Sequence, residues 1–173
     1  MVVGSIPTGR ILMRRAEFSM GPILILHDIR SVHNVGALFR TADAVGVSKI
    51  YCTGVTPTPI DRFGRVRKDF VKTSLGAEKT VAWEACELGE LLKRLKKEGV
   101  ELVAVEQSAD ALDYKNFAPK GECALILGSE TEGVPQEILK KMDAVIEIPM
   151  RGTKESLNVS VAGGIVLYRL FDR

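Results

Sequence analysis

The sequence predicts an α/β fold: a largely parallel sheet with helices on both faces. Three observations support this. Short apolar, β-branched runs alternate with longer segments of helical periodicity. The apolar runs are continuous rather than alternating, as strands covered on both faces are. The 173 residues, 46% hydrophobic and 27% charged, suit one globular domain. A chain of this size buries about 70% of its unfolded surface, so its core needs neither disulfides nor a structural metal.

Residues 1–20 read as a short basic arm containing Arg10, Arg14 and Arg15, and residues 21–173 as the single domain. The opening MVVGSIPTGRILMRR has no long apolar core and is interrupted by Pro7, Gly9 and Arg10, so no signal peptide is expected. The first strand is Ile23–Leu26 (ILIL). A helix follows Asn34, read as its N-cap, with Val35, Leu38, Phe39, Ala42 and Val45 on one stripe and Gly46 at C′. The second strand is Ile50–Cys52. Thr80–Trp83 is a weaker strand, followed by a helix from about Glu84 to Glu98 that aligns Leu88, Leu91, Leu92 and Leu95 and ends in KRLKK. Leu102–Val105 and Ala124–Leu127 are the next strands. A helix then starts with Pro135 at N1 and runs to about Met142. After a strand at Val145–Ile148, a last helix follows Ser156, with Val159, Ala162, Val166, Leu167 and Leu170 facing inward.

Thr53–Leu75 breaks the pattern and reads as a long surface loop. It holds Arg62, Arg65, Arg67, Lys68 and Lys72 against Asp61 and Asp69. Loops this long are usually functional or disordered, and basic residues interleaved with Phe63 and Phe70 suit phosphate contact and base stacking. The alternative is that the phenylalanines pin the loop to the core. The net charge of +2 neither demands nor forbids a nucleic-acid partner. Cys52, Cys86 and Cys123 are far apart, odd in number and form no CxxC pair, which suggests free thiols in a reducing compartment. No apolar run approaches the roughly 20 residues that span a bilayer, and a cytoplasmic location with no membrane partner is expected.

In an open α/β sheet, ligands bind beyond the C-terminal ends of the strands, and three such ends are polar here. HDIRSVHNVGALFRTADAVG places Asn34 and Arg40 six residues apart. ILGSETEG sets Gly128 and Gly133 around an acidic turn whose backbone N–H groups could hold a ligand closely. Glu130 and Glu132 would repel phosphate there, so an uncharged or cationic ligand is favoured. IPMRGTKESLNVSVAGG puts Ser156, Asn158 and Ser160 at the start of an otherwise apolar helix.

Together, N-x5-R, LGxExxG and IPM…SLNVSVA resemble the three motifs of the SpoU (TrmH-type) RNA 2′-O-ribose methyltransferases of the SPOUT superfamily, from Ile23 to about Leu170. The resemblance implies a C-terminal trefoil knot, a homodimer, S-adenosylmethionine as cofactor and a transfer or ribosomal RNA substrate. It implies catalytic roles for Arg40, Asn34, Glu130, Ser156 and Asn158, and cofactor contacts around Gly128, Ile148 and Leu157, with Leu127 and Glu106 beside them. RNA binding is expected from the Arg62–Lys72 loop, the N-terminal arm and the partner subunit. Arginine stays protonated, so Arg40 is expected to grip a phosphate and stabilise the developing alkoxide, although the family is often described with this arginine as the base. Asn34, Glu130 and Asn158 are expected to orient Arg40 and the ribose by hydrogen bonds, with Ser156 closing the cofactor side. No metal is expected, because neither His27 nor His33 has a companion at ligand spacing beyond Asp28. A dinucleotide oxidoreductase is disfavoured by HDIRSVHN standing where GxGxxG would be. A non-catalytic RNA-binding relative remains the main rival.

Overall fold

The computed structural model describes residues 21–171; the basic arm lies outside them. The elements run β1 (Ile23–His27), α1 (Val32–Val45), β2 (Lys49–Thr53), α2 (Lys68–Ser74), α3 (Ala77–Thr80), β3 (Trp83–Cys86), α4 (Leu88–Lys97), β4 (Glu101–Val105), β5 (Leu112–Asp113), β6 (Cys123–Leu127), α5 (Gln136–Leu139), β7 (Ala144–Glu147) and α6 (Val159–Phe171). They form a seven-stranded sheet in the order β3-β2-β1-β6-β4-β7-β5. Every pairing is parallel. The register aligns Leu26 with Leu127, Leu127 with Val105 and Val105 with Ile146, so the ends of four central strands lie level.

Alternation along the strands divides the core in two. Leu24, Leu26, Leu125 and Leu127 pack with Leu38 and Phe39 of α1 and with Val166, Leu167 and Leu170 of α6. Ile23, Ile25, Ala124 and Ile126 point the other way, onto Leu91, Leu92 and Leu95 of α4 and Ile138 of α5. Both sheet faces are therefore dry, which explains the continuous apolar runs.

Several boundaries move. Ser31, not Asn34, caps α1; its side chain accepts from Asn34 N, so Asn34 belongs to the first turn. Pro135 is the residue before α5, with extended ψ of 145°, rather than its first residue, and α5 ends at Leu139, short of Met142. β3 takes Trp83–Cys86, residues the helical reading had largely claimed, while Ala77–Thr80 is helical. The Thr53–Leu75 loop is interrupted by α2, where Phe70 is fully buried and meets Phe39 edge-on at 5.1 Å. Phe70 therefore anchors the segment, and base stacking is closed to it. Cys52 and Cys123 are free and buried, and burial pushes both thiols up to about 12.

Candidate active site

The three polar strand ends converge. The chain turns sharply after β1 at Asp28, a non-glycine residue at φ 54°, held because its carboxylate accepts from Val55 N at 2.9 Å. Beyond this turn, Arg30 N and Ser31 N donate to the two Glu130 oxygens at 3.1 and 3.2 Å. Asn34 Nδ2 donates to Glu130 Oε1 at 2.9 Å, and Asn158 Nδ2 donates to Asn34 Oδ1 at 3.1 Å. Asn158 Oδ1 in turn accepts from Ser160 N at 2.9 Å and from Ser160 Oγ at 2.6 Å.

Both ends of this relay determine its sense. The Ser160 backbone N–H can only donate and a carboxylate can only accept, so each asparagine amide has one permitted orientation. Asn158 stands just before α6, where its capping contact accounts for its position; Ser156 lies further out in an irregular stretch. Partial burial raises the Glu130 pKa, but the Asn34 amide and the backbone N–H groups of Glu130, Arg30 and Ser31 outweigh it, leaving the carboxyl below its ordinary range.

Beside the relay lies a cleft of about 550 Å³ at the ends of β4, β6 and β7. All the expected cofactor residues line it: Glu106, Leu127, Gly128, Ile148 and Leu157, together with Ser156. Its floor depends on two glycines. A Cβ on Gly128 would run into the Gly133 carbonyl and lie 2.5 Å from Val134 N, and Gly133 itself has φ +65°. The two backbones can lie this close only without side chains. Glu106 is already committed, accepting from Val134 N at 2.7 Å and Gln107 N at 2.9 Å, so it fastens the 129–133 turn. Glu130, Glu132 and Glu155 give the cleft an acidic rim. Gly128, the apolar Leu127, Ile148 and Leu157, and this rim together fit an adenosine carrying a cationic tail.

Arg40 is not brought to this cluster. Six residues along α1 rotate it about 120° from Asn34, and it lines a separate shallow depression with Thr41, Thr73 and Tyr168. Asn34, Glu130 and Asn158 bond to one another and, among the described residues, none bonds to Arg40. Of the basic residues, Arg65 pairs with Asp61 at 2.8 Å and Arg67 with Asp69 at 2.9 Å. Lys68 and Lys72 project from α2, exposed. Ser31 and Ser160 terminate the hydrogen-bonded network; the sequence marked Ser160 only as a polar residue at the helix start and assigned Ser31 no role. Ser31 was detectable as a capping residue just before the apolar stripe; for Ser160 the signal was its polarity at the start of an apolar helix. Among the described residues, no group of three His, Cys, Asp or Glu could hold a metal ion, and no helix is long and apolar enough to cross a membrane.

Residues 21–168 match the family described as the SpoU rRNA Methylase family. The chain is 35% identical over 147 residues to the 23S rRNA (guanosine-2′-O-)-methyltransferase RlmB of Salmonella typhi, an alignment covering 84% of this chain and 58% of that protein. It thus spans under two thirds of that relative's length. The AdoMet-bound rRNA methyltransferase of Sinorhizobium meliloti superimposes with a TM-score of 0.79 at 27% identity, over 86% of this chain and 55% of the other. The TrmH/SpoU tRNA modifying enzyme of A. aeolicus does so with a TM-score of 0.76 at 30% identity, over 88% and 75%.

Proposed function

We propose, because the chain belongs to the SpoU rRNA Methylase family, that it transfers a methyl group from S-adenosylmethionine to a ribose 2′-hydroxyl of transfer or ribosomal RNA, as a homodimer. The observation that carries this reading is the Asn158–Asn34–Glu130 relay standing at the lip of the glycine-floored cleft. The named relatives support the reaction class: one is a ribose 2′-O-methyltransferase of rRNA, another a tRNA modifying enzyme.

S-adenosylmethionine supplies an electrophilic methyl carbon when bound. The Gly128 backbone with Leu127, Ile148 and Leu157 would hold its adenosine, and the acidic rim its positive charges. Glu130, kept ionised by its donors, locks Asn34, and Asn34 locks Asn158. The two amides then present fixed polar groups to the ribose, with the Ser156 hydroxyl on the cleft lining beside them, so that the ribose hydroxyl oxygen is aligned before reaction. Arg40 grips the adjacent phosphate and stabilises charge developing on that oxygen as the O–H bond breaks and its proton passes to solvent water.

Within one chain, Arg40 faces away from the cleft. The depression beside it continues onto an α6 face where Val161 and Tyr168 are 49% and 45% exposed. A second copy seated on that face would cover its apolar side chains, which supports the homodimer, and in that dimer Arg40 is assigned to the partner's cleft. The trefoil knot and a cytoplasmic location belong to the same proposal. Incubation with methyl-labelled cofactor and total RNA should label one ribose and make its linkage resistant to alkaline hydrolysis. Cofactor binding without labelling would favour the non-catalytic relative instead.

A further inference from the structure

Between β2 and α2, residues 59–67, at the front of the basic segment expected to meet RNA, form a small hairpin. Asp61 N donates to Arg65 O at 2.8 Å and Arg67 N to Pro59 O at 2.9 Å, and Ile60 bridges Val66 in antiparallel sense. The Asp61 carboxylate accepts from Phe63 N at 2.8 Å, from Arg65 N at 2.9 Å and from the Arg65 guanidinium at 2.8 Å. The tip is thus built in one shape. It holds Phe63 at 66% exposure, with the guanidinium carbons of Arg62 and Arg65 at 4.8 and 4.9 Å from the ring centroid. Val55, Ile60 and Val66, on and beside the hairpin, are also exposed.

A cluster of large apolar side chains in water adds nothing to the fold and marks a contact surface. The flanking cations favour a polyanionic partner. An aromatic ring beside two guanidinium groups matches an unpaired nucleotide, the base stacking on the ring and the phosphate meeting arginine. A duplex, whose bases are stacked already, offers the ring no free base face. The hairpin is also tied to the site. Thr56 Oγ1 accepts from Ile29 N at 3.2 Å, and Val55 N donates to Asp28, at the root of the turn whose N–H groups hold Glu130.

We infer that Phe63 stacks on an unpaired base close to the modified ribose, with Arg62 on that nucleotide's phosphate, so that the substrate is an RNA loop or single strand rather than a duplex. This rests on the RNA methyltransferase reading above. The test compares wild type, Phe63→Ala and Phe63→Trp for binding to a single-stranded oligoribonucleotide and to the duplex of the same sequence. Cofactor affinity and sedimentation are measured in parallel. Wild type should prefer the single strand. Phe63→Ala should weaken single-strand binding about tenfold while leaving duplex and cofactor affinities as they were, and Phe63→Trp should restore it. In a Trp83→Phe background, the Phe63→Trp indole emission should be quenched by the single strand. Phe63→Ala that binds the single strand as wild type does, or that loses as much on the duplex, overturns the inference alone. Unchanged RNA affinity with an altered sedimentation coefficient makes the patch a protein contact and overturns it equally. Wild type that binds cofactor but neither RNA overturns both this inference and the functional reading.

Discussion

Asn34 has both halves of its amide in use, one toward Glu130 and one toward Asn158, so a substitution there releases two motifs at once. Asn34→Ala should lower the methyl-transfer rate about a hundredfold, the scale set by misplaced reacting groups, with cofactor affinity little changed; single-turnover kinetics beside a cofactor titration would check this. Glu130 makes a pH prediction. Its folded pKa lies below the unfolded value, so its contribution to stability is complete above the unfolded carboxyl pKa and is lost as the pH falls through the folded one. Between about pH 5 and about pH 3, thermal melts of wild type should therefore decline more steeply than those of Glu130→Gln. Gly128 is set by sterics: Gly128→Ala pushes a methyl group into the backbone at Gly133 and Val134. It should cost roughly 1–3 kcal/mol, read by urea denaturation, and weaken the cofactor at the same time.

At the scale of elements, α2 fastens one end of the basic segment through Phe70, and the hairpin shapes the other. Charge is distributed unevenly along it. Arg65 and Arg67 have carboxylate partners, whereas Arg62, Lys68 and Lys72 have none among the described residues. Replacing those three with Gln should lower the slope of log K against log salt for single-stranded RNA by about 2, measured by equilibrium binding across a salt series. Five strands were legible because parallel strands buried on both faces are written as unbroken apolar runs; β3 reads largely as helix because WEAC is only half-buried and carries Glu84. β5 was not legible, since Leu112–Asp113 has two residues and no apolar run to announce it. The start of α1 was misjudged because Ser31 and Asn34 are both good capping residues and only the Glu130 contact decides between them. Phe63 and Phe70 look alike in sequence; their opposite fates depend on Phe39, a partner thirty-one residues away from Phe70 that no local pattern identifies.

For the whole molecule, the motif residues named their own cleft, whereas Arg40 lines a separate depression, and the proposed homodimer assigns it to the partner's site. Mixing Arg40→Ala with Asn34→Ala subunits, each nearly inactive alone, should therefore restore activity to about a quarter of wild type, because half of the dimers are mixed and each of those holds one complete site of two. If Arg40 served its own chain, the mixture would stay inactive. The strand order carries a different consequence, in time rather than space. β1 lies between β2 and β6, yet β6 follows it in the chain by roughly a hundred residues. A chain emerging from the ribosome can pair β1 with β2, and β2 with β3, early but must wait for Cys123–Leu127 with the other edge of β1 open, a template for wrong pairing. The relay closes later still, since Asn158 is 124 residues from Asn34. Under the proposed function, activity would appear only once α6 has docked, and a partly synthesised chain would hold none of it to misapply.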